Sequence, residues 1–344
     1  LPMFEHELEG TEEEFYPPQV EAGRLKTFIE TELSECQANL PEKWNTNMAG
    51  RVTKYTAAAL LGKYYMFIGE KAKAKTEFWK VIDSHRYELM ENYGDNFNGL
   101  HENNKESILE VQFTGSLEGG HYEYNLFTLH LGPDSGCGAY EEAYPSKWLF
   151  NTLKKDLTED GEYSDRLYET IIFDDPKSRP FYYEDGKGFS DYHQEDNIYW
   201  RKYVTYDKSL GDYWDYSGFN IPLIRYADIL LLYAECLNDE GNSKEAIKYI
   251  NKVRDRVHVT PLSDTLSKEQ VLKHLQDVER PCELALEGSR WYDLIRWGIV
   301  EDALKSHEKP FASNFISTKH IRLAIPHKEF LMNPDWVQNE GYTK

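Results

Sequence analysis

Three kinds of side chain in this sequence could do chemistry: paired carboxylates, the histidines His121 and His130, and a dense set of aromatic rings. The carboxylate pairs are Glu141 with Glu142, Asp174 with Asp175, and Asp212 with Asp215. A glycosidase needs two carboxylates at a set separation across the scissile bond. With 60 acidic residues in 344, such pairs arise by chance and carry no catalytic reading by themselves. His121 and His130 read more simply as solvated or ligand-touching than as metal ligands. The cysteines Cys36, Cys137, Cys236 and Cys282 form no CxxC and no Cys/His pair with metal spacing. Three of them lie in helical patterns and read as small core residues. There is no Gly-rich phosphate loop, GxSxG elbow, HExxH or EF-hand loop, so neither a cofactor nor a metal is implied.

The rings are the unusual term. Aromatic residues make up 14% of the chain and Tyr leads with 25. Tyr joins a flat apolar ring to a polar tip, which suits wet, half-exposed binding surfaces. Between 181 and 216, 12 of 36 positions are aromatic. The net charge of −21 argues against nucleic acid and against docking on anionic lipid. No run of 18 apolar residues occurs, so no segment reads as a membrane-spanning helix.

Helices must position these rings. Residues 24–38 place Leu25, Phe28, Ile29, Leu33 and Cys36 on one stripe. Residues 51–68 and 70–84 read as two more helices, with Gly69 in the turn. Gly62, Ala74 and Phe78 are spaced by 12 and 4 residues, and Ala234, Ala246 and Ile250 repeat that spacing with Gly241 in the turn. Small residues at matched positions let antiparallel helices approach closely, as in tetratricopeptide (TPR) repeats. The expectation is two helical hairpins, 51–84 and 224–255. A further helical stretch, 267–297, contains Pro281, which predicts a break or a helix start near 280. Between the hairpins, about 86–222, lies a long irregular stretch with strand-like runs at 107–113 and 199–205. The fold class is therefore all-α dominated: a TPR-like helical-hairpin scaffold with a long irregular insertion containing short strands. Its expected layout is a single domain over 1–344, with scaffold helices at 24–84 and 224–300, the insertion at 86–222 and a tail at 301–344. Such an insertion is where function is expected.

The densest charged segment is ERPCELALEGSRWYDLIRWG, 279–298. Glu283 and Glu287 sit at i,i+4 and repel in an isolated helix. Arg280, Arg290, Asp293 and Arg296 surround them, interleaved with apolar residues. The pattern predicts a helix-locking ion network in which Glu287 is buried and paired with Arg290 or with an arginine from 225–256.

The same segment resembles the "ERR.ELafEG.R..DLrRW" signature of the SusD/RagB family. Four other stretches resemble that family in its order: GRVTKYTAAALLGKYYMF (50–67), IPLIRYADILLLYAECLNDEG (221–241), AIKYINKVRDR (246–256) and LAIPHKEFLMNPDWVQNEGY (323–342). Pro281 departs from the family's usual arginine. The resemblance implies a non-enzymatic, surface-exposed outer-membrane lipoprotein that captures glycans or other nutrients. It implies a partner too, a SusC-like TonB-dependent transporter that receives the ligand. Family members begin with a lipidated cysteine and further helices, which this sequence is expected to lack.

The family signatures are structural, so the ligand residues must come from physics. Sugars stack their C–H faces on rings and offer hydroxyls to polar neighbours. The candidate loops are 119–148 and 181–216, and the candidate ligand-binding residues are Tyr122, Tyr124, Tyr140, Tyr192, Tyr213 and Trp214. Asp191, Asp212 and Asp215 beside them favour a neutral glycan. Trp200 and Tyr203 lie in a stretch common to family members and are assigned to structure. Two alternatives stay open: a secreted glycoside hydrolase on a helical scaffold, and a TPR adaptor that binds a peptide in its groove.

Overall fold

The computed structural model describes residues 2–5, 10, 16–114, 123–134, 139–178, 187–204, 217–307 and 309–344. The helices of the first half are α1 (Ala22–Asn39), α2 (Lys54–Phe67) and α3 (Lys71–Asp83). The irregular stretch carries β1 (Ser107–Val111), α4 (Phe127–Leu131), α5 (Lys147–Lys155), α6 (Asp165–Thr170), β2 (Ile171–Ile172), α7 (Phe189–Tyr192) and β3 (Tyr199–Trp200). Then follow β4 (Ile221–Arg225), α8 (Tyr226–Asp239), α9 (Ser243–Asp255), α10 (Lys268–His274), α11 (Arg280–Glu283), α12 (Arg290–Trp297), α13 (Val300–Ser306), α14 (Ser317–His320) and α15 (His327–Met332). The fold is helix-dominated, as the spacing predicts.

Both hairpins form. Thr53 caps α2 by accepting from the Thr56 N–H, and Thr56 returns a bond to the Thr53 N–H, so two of the helix's orphan donors are satisfied locally. Gly69 and Gly241 turn the two hairpins with φ of +82° and +85°, a conformation that suits glycine. Helix α2 packs on α3, α8 on α9, and α3 on α8, which stacks one hairpin on the other. A Cβ built on Gly62 would sit 2.5 Å from the Phe78 ring, so the first hairpin needs glycine there. The matched positions of the second hairpin hold Ala234 and Ile250, a methyl and a side chain smaller than phenylalanine, in the same core. Both are fully buried. Cys236 and Cys282 are buried free thiols and Cys36 is half-buried.

The strand-like runs form two antiparallel pairs, β1 with β4 and β2 with β3. The first pair joins the irregular stretch to the second hairpin, with Ser107 opposite Arg225 and Val111 opposite Ile221. The run 221–225 is thus strand, and the helix begins only at Tyr226. Pro281 sits in the first turn of α11 and lacks an N–H to donate. The expected break or helix start near 280 does not occur: the backbone stays helical from Lys268 to Glu283, because the ladder widens into a π turn, Leu275–Glu279, that accommodates the missing donor. The hairpins share one core, and the irregular stretch has a second built on Leu153, Leu167, Ile171 and Trp200 and closed by Cys282 and Ala285. Trp200 and Tyr203 are both buried. Among the described residues no helix is long and apolar enough to cross a membrane.

Candidate functional site

Two regions concentrate the side chains singled out above. The first is the charged signature, which is a buried, fully paired network. Arg225 donates to both Glu287 oxygens at 2.8 Å and also bonds Glu106 and Glu283. Lys202, fully buried, lies 2.7 Å from Glu287 and donates to the carbonyls of Glu283 and Ala285. Arg256 bridges Glu106 and Glu283. Arg166 and Arg254 share Asp156 and Glu279. A second cluster adjoins it: Arg280 binds Asp228 and Asp293, and Arg296 binds Asp293 and Glu235.

Glu287 therefore takes its arginine from position 225; Arg290 does not hold it and lies over the Trp148 ring instead, at 5.3 Å. Burial pushes the Glu283 carboxyl up, but the guanidiniums of Arg256, Arg225 and Arg166 outweigh it and hold the pKa down at about 2. Burial depresses Lys202 to about 8 against the pull of Glu287. Every charge named here has a partner, so the region holds the fold. Glu106, Asp156, Arg166 and Lys202 all belong to the irregular stretch, so the network fastens that stretch to the helices.

The second region is an aromatic face. The segment 139–146 is tied to α4 by Tyr140 N–H to Leu129 O and Glu142 N–H to His130 O, both 2.8 Å. Glu141 between them has φ of +50°, a conformation uncommon for a non-glycine residue. Its carboxylate accepts from the Asp134 N–H at 2.8 Å and from the Tyr144 hydroxyl at 3.0 Å, which stiffens the loop. Burial and the Glu141 bond raise the Tyr144 pKa to about 12, so its hydroxyl stays a donor. The loop ends where Ser146 caps α5 through the Leu149 N–H. Tyr140 and Tyr144 flank Glu141 and are 60% and 54% exposed.

A chain of ring contacts extends from Tyr144. It lies 5.7 Å from Tyr199, which lies 4.7 Å from His193, which lies 6.3 Å from Tyr192. Tyr199 accepts from Asn197 Nδ2 at 2.9 Å, and its hydroxyl is 3.1 Å from His193 Nδ1. Burial lowers the His193 pKa, opposed by Glu141 and Asp134. Tyr140 meets the His130 ring at 5.6 Å, and Lys187 lies over Tyr192. Asp191 uses one oxygen to accept from the Gly188 N–H at the start of α7.

Of the candidate ligand residues, Tyr140 and Tyr192 thus belong to one neighbourhood. Tyr124 is half-buried. Tyr122, Tyr213 and Trp214 lie outside the described residues, as do His121, Asp212 and Asp215. Sequence reasoning did not single out Tyr144. Its signal was Ser146, a cap residue that places Tyr144 just outside a helix start. The carboxylates are otherwise engaged: Asp175 accepts from the Tyr168 hydroxyl and the Lys177 N–H. Among the described residues no group of three His, Cys, Asp or Glu could hold a metal ion.

The comparisons agree with this architecture. A superfamily member from Bacteroides vulgatus, solved at 1.55 Å, superposes with a TM-score of 0.84 at 26% identity, over 95% of this chain and 70% of that one. A laminarin-binding SusD-like protein superposes with a TM-score of 0.75 at 26% identity, over 99% of this chain and 74% of that one. A SusD-like protein of Formosa agariphila is 26% identical over 92% of this chain. The chain spans 64% of that relative's length and 60% of a second Formosa agariphila relative's. The sequence pattern of the SusD family matches residues 36–342, which include the α2 to α3 and α8 to α9 hairpins and the whole Glu279–Glu287 ladder, and the chain belongs to that family.

Proposed function

We propose that this chain is a non-catalytic, surface-exposed glycan-binding protein of the outer membrane. It captures an oligosaccharide on the aromatic face and delivers it to a SusC-like TonB-dependent transporter. One observation carries the reading: Tyr140 and Tyr144 hold their rings more than half exposed on a loop stiffened by Glu141. Exposed rings held in place are the usual surface for stacking on a sugar's C–H face. His130, Glu142 and Asn197 stand beside them for hydroxyls. The laminarin-binding neighbour supports a neutral glycan as the ligand class. Against hydrolysis stands the state of Glu141, whose carboxylate already accepts two bonds that shape the loop, which leaves it a structural group. Titration calorimetry with laminarin oligosaccharides tests the proposal. Binding is expected for the unmodified chain, with no reducing ends released on prolonged incubation. Loss of affinity is expected when Tyr140 and Tyr144 are both changed to Ala. Unchanged affinity in that double variant, with its fold intact, would sink this face as the site.

A further inference from the structure

A cleft of about 760 Å³ opens between α5, the α10 segment and α13, and none of the residues of the aromatic face lines it. Its volume lies in the range of small-molecule sites. One wall is a three-layer stack in which Trp148 lies 3.7 Å from the His307 ring and carries the Arg290 guanidinium on it at 5.3 Å.

Arg290, which is half-buried, differs from the buried arginines of its neighbourhood. Arg166, Arg225, Arg254, Arg256, Arg280 and Arg296 each bond a carboxylate. Arg290 donates only to the Gln276 carbonyl, at 2.7 Å, and among the described residues no carboxylate lies within ion-pair distance of it. Burial lowers the Arg290 pKa, opposed by Asp293 and Asp277 at longer range, and its guanidinium, with no ion pair of its own among the described residues, is open to an anion in the cleft. Lys155, at the end of α5, also lines the cleft and holds no ion pair among the described residues. The acids around them are mostly engaged. Asp156 binds Arg254 and Arg166, and Asp277 binds Lys273 at 2.6 Å. Asp302 and the Gln276 side-chain amide remain without a hydrogen bond among the described residues, and both face the cleft as partners for hydroxyls. Lys155, Lys273 and Arg290 bring three cations to the lining, beside Asp156, Asp277 and Asp302, in a chain whose net charge is −21. Burial, then Arg290 and Lys309, push the His307 pKa down to about 4, so that ring stays neutral.

We propose that this cleft is a second ligand site, separate from the aromatic face, that takes a carboxylate-bearing sugar of hexuronate type. Arg290 and Lys155 receive the carboxylate, while Gln276 and Asp302 receive hydroxyls. The proposal is independent of the aromatic face, and its test reads both sites. D-glucuronate, D-glucose and glucose 6-sulfate are each titrated calorimetrically into the chain, with laminarin oligosaccharide run in parallel. Glucuronate is expected to bind more tightly than glucose or the sulfate ester. Arg290→Gln should weaken glucuronate about tenfold, the loss of one charge-assisted bond. Arg290→Lys should fall between, because it keeps the charge and loses the fork. Lys155→Gln, at the exposed end of a helix, should weaken glucuronate severalfold without unfolding the chain, and decides the matter if Arg290→Gln does not fold. Laminarin affinity should stay unchanged throughout. Equal binding of glucose and glucuronate, preference for the sulfate ester, unchanged glucuronate affinity in Lys155→Gln, or a parallel loss of laminarin binding would each overturn the proposal.

Discussion

Lys202 and Tyr199 stand three residues apart, yet they serve regions built on opposite rules. Lys202 enters a network where every charge is buried and matched. Tyr199 joins a face whose outer rings, Tyr140 and Tyr144, are left to solvent. In the network, removing one partner strands another in a medium that cannot solvate it. On the face, removing one ring costs only that ring's contacts. Stability and binding should therefore separate cleanly by mutation, and four measurements can break or sharpen that contrast.

The largest effect is expected at Glu283, which meets Arg225, Arg256 and Arg166. Glu283→Ala should cost about 3–5 kcal/mol in urea unfolding. Glu287→Ala should cost less, because Arg225 retains Glu106 and Glu283. Neither should alter the affinity of the folded protein for laminarin oligosaccharide. A stable Glu287→Ala protein that has lost binding would move the network into the site and erase the contrast.

Acid should act on the same group. The Glu283 pKa falls from 4.5 to about 2 on folding. A depressed carboxylate contributes stability that is complete above its unfolded value and is lost as pH falls through its folded value. The contribution, on the order of 3 kcal/mol by the usual conversion, should vanish between pH 4.5 and about 2. Glu283→Gln should flatten that part of the stability profile. An unchanged slope would show that other groups drive acid unfolding.

Next comes the hairpin match. Gly62→Ala places a methyl against Phe78 and should cost about 1–3 kcal/mol by overpacking. Adding Phe78→Ile, which copies the Ala234 and Ile250 arrangement of the second hairpin, should recover part of the loss. If the double variant is less stable than either single one, the two hairpins are not packed alike.

The smallest effects belong to the face. Tyr140→Ala and Tyr144→Ala should each weaken laminarin binding severalfold, about 1 kcal/mol per ring, with melting temperatures little changed. Tyr124→Ala, at a half-buried ring, should do less than either. A melting temperature that drops sharply in Tyr140→Ala would make that ring part of the scaffold.

The two regions were not equally legible in the sequence. The hairpins were, because Gly62, Ala74 and Phe78 and their counterparts obey the helix period, which is a local rule. The existence of the ion network was also legible, from the density of charge between 279 and 298. Its membership was not. Glu106, Asp156, Arg166 and Lys202 lie in irregular sequence with no period to announce them, and Arg290, inside the signature, left the network for Trp148. On the face, Tyr140 and Tyr192 were singled out by loop position and residue type. The chain of rings that runs from Tyr144, four residues after Tyr140, through Tyr199 and His193 to Tyr192 joins two segments some fifty residues apart, which no local pattern encodes.

The sequence by itself determined the helical hairpins, the turns at Gly69 and Gly241 and the burial of a charged ladder. Each follows from backbone preference or periodicity within a short stretch of chain. The tertiary structure alone decided which cation meets which carboxylate, which tyrosines reach solvent and that Arg290 forms no ion pair among the described residues. Those outcomes are set by distances between segments remote along the chain, and the energies of burial and pairing depend on such distances rather than on residue type.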